Sequence, residues 1–79
     1  MNREQVLLKC KVNVGDEVHN HLSLKINGIW FHVKDGFFSY CKFYDDCICF
    51  ADDYQFICLI PYNDIIDLFC VNSGRDALK

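Results

Sequence analysis

The stretch LSLKINGIWFHV, residues 22–33, decides the fold because it holds two alternating segments separated by Asn27-Gly28. Alternation of side chains with a period of two is the pattern of half-buried β-strands. Asn-Gly is the strongest two-residue signal for a β-hairpin, since both residues tolerate the positive φ angles of a type I′ turn. The stretch therefore predicts two antiparallel strands with Ile26 opposite Ile29.

The same alternation continues on both sides of this hairpin, from residue 4 to residue 60, and turn residues interrupt it at short intervals. Aspartate and glycine accept turn conformations and are depleted in strands, so we place turns at Gly15-Asp16-Glu17, where the first predicted strand ends, and at Asp35-Gly36, Asp45-Asp46 and Asp52-Asp53. We predict an all-β protein, a six-strand antiparallel meander that forms a small barrel or a strongly curled sheet, because open edges invite aggregation.

Residues 61–71 leave two alternatives. Pro61 ends the sixth strand, and Asn63 could cap a short C-terminal helix. The β-branched residues of the same segment would equally suit a seventh strand. We expect one small β domain over residues 1–71 and a flexible tail over residues 72–79.

Two-residue loops at the predicted turns place Lys34 opposite Phe37, Tyr44 opposite Cys47 and Ala51 opposite Tyr54, and this register assigns every side chain to one of two sheet faces. The first face is the expected core: Leu8, Cys10, Val12, Leu22, Leu24, Ile26, Ile29, Phe31, Val33, Phe38, Tyr40, Cys47, Cys49, Tyr54, Phe56, Cys58 and Ile60.

The second face divides into a polar half and an apolar half. The apolar half is too hydrophobic to leave in water, so residues 61–71 or a second copy of the chain should cover it. As the contact surface of a homo-oligomer we therefore name Phe37, Phe43, Ile48, Phe50, Ile57 and Leu59.

Composition narrows the class of protein. The chain has 79 residues, of which 52% are hydrophobic and 24% charged, which is too apolar for a disordered chain and ordinary for a globular one. We expect no membrane span, since no apolar run approaches the length that a bilayer requires, and no secretory signal. The expected localisation is cytoplasmic, and the six cysteines are accordingly expected to be free thiols.

The sequence contains none of the common catalytic or nucleotide-binding motifs. We predict that the protein is not an enzyme and has no catalytic residue, cofactor or metal. There is no nucleophile elbow, Walker loop or dinucleotide-binding glycine motif. The paired aspartates do not suggest a cation site, because successive turns of a meander lie at opposite ends of the sheet.

The function that we expect is a small interaction module, an inhibitor or adaptor, that binds another protein. Seven aspartates and one lysine occupy residues 35–71, so acidic turns next to aromatic side chains would attract a basic partner. The predicted contact residues are Tyr44, Asp45, Asp46, Asp52, Asp53 and Tyr54.

The alternative is a binder of nucleic acid or of another anionic ligand, which would use the polar half of the second face. Lysines attract phosphate, and an exposed tryptophan can stack on a base, although a net charge of −3 disfavours nucleic acid. The residues of this face are Lys9, Lys11, His21, Lys25, Trp30, His32 and Lys34.

Overall fold

The computed structural model describes residues 1–33, 38–54 and 56–71. The predicted turn at Asp35-Gly36, the residues Lys34 and Phe37, and the predicted tail over residues 72–79 lie outside this part of the chain. The elements are α1 (Arg3–Cys10), β1 (Glu17–Val18), β2 (Leu22–Ile26), β3 (Ile29–Val33), β4 (Tyr40–Phe43), β5 (Cys47–Ala51), β6 (Ile57–Pro61), a 3₁₀ turn (Tyr62–Asp64) and β7 (Leu68–Val71).

The strands form two antiparallel sheets, which confirms that the protein is mostly β. The four-stranded sheet has the order β1-β4-β5-β6, and the three-stranded sheet has the order β3-β2-β7. The predicted six-strand barrel is not confirmed, because the described residues form seven strands in two sheets that do not close into a barrel. Of the two alternatives for residues 61–71, the segment forms a seventh strand, which pairs with β2, after a single 3₁₀ turn.

Two of the predicted turns have the expected register. Ile26 pairs with Ile29 across the Asn27-Gly28 turn. The backbone N–H of Tyr44 donates to the carbonyl oxygen of Cys47 at 2.9 Å, which closes the hairpin between β4 and β5. Asn-Gly is a specific signal for the first of these turns, whereas the Asp45-Asp46 pair is compatible with the second without specifying it.

The turn predicted at Asp52-Asp53 has a different register, since Ala51 pairs with Ile57 and not with Tyr54. Asp52 Oδ1 accepts hydrogen bonds from the backbone N–H groups of Tyr54 and Phe56, each at 2.9 Å. These bonds hold a longer loop after β5. The register of β6 is shifted by three residues from the predicted one. A shift by an odd number of residues moves each side chain of the strand to the other face of the sheet.

The buried face of the four-stranded sheet is the apolar half of the predicted second face, which we expected residues 61–71 or a second copy of the chain to cover. Cys41, Phe43, Ile48 and Phe50 are fully buried, and the rings of Phe50 and Phe31 stack with centroids 4.8 Å apart. The other side of this core is the inner face of the three-stranded sheet, formed mainly by Leu22, Leu24, Ile26, Val33 and Leu68.

The predicted oligomer surface is corrected by this arrangement. Phe43, Ile48 and Phe50 pack inside their own chain and cannot contact a second copy. Ile57 and Leu59 are exposed on the outer side of β6. Conversely, Tyr54 and Phe56 were expected in the core and are exposed.

The segment that we predicted as the first strand is the helix α1. Asn2 caps it: the Asn2 side chain accepts from the backbone N–H of Gln5, and the Gln5 side chain accepts from that of Asn2. Val6 and Cys10, four residues apart, are buried, whereas Leu8 is 80% exposed. A segment with apolar residues at every second position also has apolar residues four apart, which share one face of a helix. The alternation is therefore compatible with a helix as well as with a strand. The sequence signal that indicates the helix is the Asn2-to-Gln5 spacing of a capping box.

Tyr62 joins the 3₁₀ turn to the core. Its side chain is buried, and its hydroxyl donates to the carbonyl oxygen of Tyr44 at 2.9 Å. Burial is the main cause that raises the pKa of Tyr62 to about 12, and the nearby cysteines contribute less. The neutral phenol is therefore the form that the folded protein favours.

We expect this phenol to make stability depend on alkaline pH. The folded pKa lies above the unfolded value of about 10, so the contribution is fully present below pH 10 and is lost as the pH rises toward 12. Urea unfolding between pH 8 and pH 12 should show the free-energy difference between wild type and Tyr62→Phe constant up to pH 10 and falling above it. A difference that stays constant over the whole range would contradict this assignment.

Candidate binding surface on the three-stranded sheet

The outer face of the three-stranded sheet gathers residues from the β2–β3 hairpin and from the distant strand β7. The register places Lys25 between Trp30 and Phe69, and Ser23 between His32 and Val71. Alternate residues of a strand share a face, so these side chains lie opposite the buried leucines and isoleucine of β2. We call this surface the Trp30 face; it consists of Ser23, Lys25, Trp30, His32, Phe69 and Val71.

Trp30 is the centre of contacts on this face. Its indole stacks on the imidazole of His32, with ring centroids 5.6 Å apart and planes 7° from parallel. Phe69 packs edge-to-face against it at 6.2 Å, and Lys25 Nζ lies 5.8 Å from the ring centroid, within the range of a cation–π contact. Trp30 nevertheless remains 42% exposed. The indole is thus held in place by its neighbours while a large part of it stays accessible to solvent.

The imidazole under Trp30 is itself positioned by a hydrogen bond. Ser23 Oγ lies 2.7 Å from His32 Nδ1, across the β2–β3 pair. This contact limits rotation of the imidazole, and the stacked indole is limited with it. The face is therefore preorganised, which reduces the entropy lost when a partner binds.

The charge on the Trp30 face is positive at its centre. None of its six residues is acidic, and Lys25 occupies the middle strand. The acid closest along β7 is the exposed Asp67, whose carbonyl oxygen accepts a hydrogen bond from the backbone N–H of Asn27 at the end of the sheet.

The structure brings together only part of the predicted Lys/His/Trp surface. Lys25, Trp30 and His32 are neighbours, as expected. Lys9 and Lys11 are not on this sheet, because they belong to the end of α1. Further predicted members are His21, which is exposed at the residue before β2, and Lys34, which lies outside the described part of the chain.

The sequence pattern did not predict that Phe69 and Val71 lie on the Trp30 face. Both belong to β7, which pairs with β2 more than forty residues earlier in the chain. A pairing between distant strands of this kind is not indicated by turn residues, because no tight turn connects the two strands. An available signal was the apolar segment Leu68–Val71 itself, rich in β-forming residues.

The predicted acidic surface is divided between the two ends of β5. Tyr44, Asp45 and Asp46 precede this strand, and Asp52 and Asp53 follow it. A strand of this length spans about 17 Å, so the two groups do not form one patch.

Several of these aspartates have structural partners. Asp45 forms a salt bridge with Arg3. Asp53 Oδ1 accepts a hydrogen bond from Ser39 Oγ at 2.8 Å, and Asp52 holds the loop after β5. These aspartates stabilise turns, which is the role that turn chemistry alone would give them.

Aromatic side chains next to the acidic turns are arranged differently from Trp30. Lys42 Nζ lies 5.2 Å from the ring centroid of Tyr44, which is 40% exposed. Tyr54 is 91% exposed. A side chain that projects so far into solvent must lose more conformational freedom on binding than one that is already packed.

Other surface features offer less than the Trp30 face. An open depression of about 480 Å³ runs along α1 and is lined by Glu4, Leu7, Leu8, Lys11, Val12 and Asn13. Within residues 1–33, 38–54 and 56–71, no cluster of three or more His, Cys, Asp or Glu side chains is arranged to hold a metal ion. The helix in this part of the chain is too short to cross a bilayer. All six cysteines are free, as expected.

Comparisons with protein-family models, with curated proteins and with solved structures found no match to this chain.

Proposed function

We propose that the protein is a non-catalytic module that binds another protein through the Trp30 face. The observation that carries this proposal is the exposed indole of Trp30, packed between His32, Phe69 and Lys25. Residues that dominate the energy of protein interfaces are most often tryptophan, tyrosine or arginine, in tightly packed surroundings. Trp30 has both properties before any partner is present.

The chemistry of the face favours a particular kind of partner. Lys25 lies next to the exposed ring surface, and the six residues of the face include no acid. A segment that inserts an apolar side chain against Trp30 and places a carboxylate near Lys25 would match both features. This proposal replaces the basic partner suggested by the acidic turns, because the aspartates there are engaged in local hydrogen bonds and a salt bridge.

The test is capture of a partner from native lysate treated with nuclease, followed by affinity measurement with the purified partner. We expect Trp30→Ala to weaken binding at least thirtyfold, equivalent to about 2 kcal/mol, and Lys25→Glu to weaken it as well. Tyr54→Ala is the matched control, since it removes another exposed aromatic ring without touching the Trp30 face.

Each pattern of results has a distinct meaning. Loss of the partner with Trp30→Ala and retention with Tyr54→Ala supports the proposal. Binding that is retained by Trp30→Ala but lost with Tyr54→Ala, or with the double variant Asp52→Lys and Asp53→Lys, would contradict the proposal and assign the contact surface to the acidic turns.

A second candidate function is binding of single-stranded nucleic acid by the same face. The specific observation in its favour is the stacked pair of Trp30 and His32 with Lys25 above the indole, since bases stack on aromatic rings next to cations. The net charge of −3 weighs against it. Binding of a labelled oligonucleotide that is lost with salt and with Trp30→Ala, together with no nuclease-resistant protein partner, would favour this function.

A further inference from the structure

The strand β6 is an open edge of the four-stranded sheet. Among the described strands it pairs with β5 alone, over the residues Ile57–Pro61. Just before the strand, the backbone N–H of Asp52 donates to the carbonyl oxygen of Phe56 at 3.1 Å. Backbone groups of successive residues point to opposite sides of a strand, so Phe56 and every second residue after it bond toward β5. Ile57 and Leu59 therefore direct their N–H and carbonyl groups to the open side.

The other edges of the two sheets are short or partly occupied. β1 has two residues, and α1 contacts β7. On β3, the carbonyl oxygen of His32 accepts a hydrogen bond from the backbone N–H of Phe38 at 3.1 Å. Proteins protect exposed edges with short strands, covering elements or charged side chains. Within the part of the chain that the structure describes, β6 has none of these three protections.

The side chains along β6 are apolar on both faces of the sheet. Ile57 and Leu59 are each more than half exposed on the outer face. Phe56 is also more than half exposed, and its ring lies 6.2 Å from that of Phe38 at the rim of the core. Residues 56–61 include no charged side chain. Pairing with another strand would therefore remove apolar surface from water without desolvating a charge.

We propose that two copies of the chain form a dimer by antiparallel pairing of their β6 strands. A two-fold axis sets the strand opposite itself, so a charged strand would bring like charges together, whereas an uncharged strand is compatible with itself. The pairing joins the two four-stranded sheets into one continuous sheet. That sheet ends at the short strand β1 in each copy, so the contact closes at the dimer and does not propagate.

The backbone groups of β6 favour one register for this pairing. With Ile57 opposite Leu59 of the second copy, every outward N–H and carbonyl group of these two residues has a partner. With Leu59 opposite itself, Ile57 would face Pro61, which has no N–H, and the Ile57 carbonyl oxygen would lack a donor. The first register therefore satisfies the edge, and it places Cys58 directly opposite Cys58 of the second copy.

The Trp30 face takes no part in this contact. It belongs to the outer face of the three-stranded sheet, whereas β6 belongs to the four-stranded sheet. The dimer is therefore independent of the proposed binding function, and it carries the Trp30 face twice.

Sedimentation equilibrium of the purified chain measures the dimerisation. One strand pair with few apolar side chains is a small interface, so we expect a dissociation constant of about 10 to 100 µM. At about 1 µM the chain is then monomeric, and unfolding measured there describes the single chain. Leu59→Lys should raise the dissociation constant at least about tenfold, because a lysine on an edge strand opposes pairing. Ile66→Lys is the matched control, since Ile66 is an exposed apolar residue outside both sheets and should leave the dimer unchanged.

The register has a test of its own in the wild-type chain. Directly opposite residues that exchange no hydrogen bonds in an antiparallel pair have Cα atoms about 4.5 Å apart, which is within the range of a disulfide. Diamide takes up two hydrogen atoms from two thiols, so it should join two chains through Cys58, as peptide mapping would show. Cys58→Ser should lose this crosslink and retain the noncovalent dimer. The crosslink needs no lysine variant, so this test holds even if Leu59→Lys unfolds.

Each outcome supports or overturns the proposal. A dimer that Leu59→Lys weakens and that diamide joins through Cys58 supports it. A chain that stays monomeric at about 300 µM, well above the expected dissociation constant, would overturn it. Crosslinks through other cysteines only, or growth beyond the dimer, would also overturn it. Dimerisation that is retained by Leu59→Lys but lost with Trp30→Ala would place the contact on the Trp30 face instead.

Discussion

Replacing Phe50 with alanine is expected to lower the free energy of unfolding by about 4 kcal/mol, within the range for a buried phenylalanine. Phe50 is fully buried in β5, and its ring contacts those of Phe31 at 4.8 Å and Phe38 at 5.3 Å between centroids. These contacts join the two sheets. In a chain of this size, such a loss is a large part of the total stability, and urea unfolding followed by circular dichroism would measure it.

The matched control is Leu59→Ala on the neighbouring strand β6. Leu59 is 59% exposed, and we expect its replacement to change the free energy of unfolding by less than about 1 kcal/mol. The register predicted from sequence places Phe50 and Leu59 on the same face, whereas the structure places them on opposite faces. Equal costs for the two substitutions would contradict the two-sheet arrangement.

Replacing Asn27 with alanine is expected to cost about 2 to 3 kcal/mol, although the residue is exposed. Asn27 Oδ1 accepts hydrogen bonds from the backbone N–H groups of Ile66 and Asp67, and Asn27 Nδ2 donates to the carbonyl oxygen of Asp64 at 2.9 Å. Its φ angle is 52°, a left-handed conformation that alanine adopts only with strain. The substitution thus removes three hydrogen bonds, each worth about 1 kcal/mol at most in this exposed setting, and adds backbone strain.

Two further variants separate these contributions in the same urea unfolding assay. Asn27→Gly removes the side-chain bonds but relieves the strain, so it should cost about 1 kcal/mol less than Asn27→Ala. Asn27→Asp retains the acceptor for Ile66 and Asp67 and should cost least. If Asn27→Gly is as stable as wild type, the side chain does not hold the segment before β7.

Parts of the fold that depend on neighbouring residues could be predicted from the sequence. The hairpin of β2 and β3 follows from alternation and Asn27-Gly28, and the register is correct. The loop after β5 could not be predicted in the same way. Its length depends on which backbone N–H groups the Asp52 carboxylate binds, and two aspartates in succession are compatible with several loops.

The proposed binding surface was predictable to the same extent. Lys25, Trp30 and His32 belong to one local hairpin, so their common face follows from the alternation. Phe69 joins them through a pairing between distant strands, which alternation within one segment does not indicate. The acidic turns show the opposite case: the sequence shows charge, but only the fold shows that Asp45 is paired with Arg3.

The central position of β2 affects when the Trp30 face can form during synthesis. Its partner on one side, β3, follows after two residues, while its partner on the other side, β7, is translated last among the described strands. A nascent chain can close the hairpin early, but the edge of β2 that receives β7 stays unpaired until residue 71 has left the ribosome. Long-range pairings of this kind slow folding and expose strand edges in the meantime. The surface with which we propose that the protein binds its partner is therefore among the last parts of the molecule to assemble.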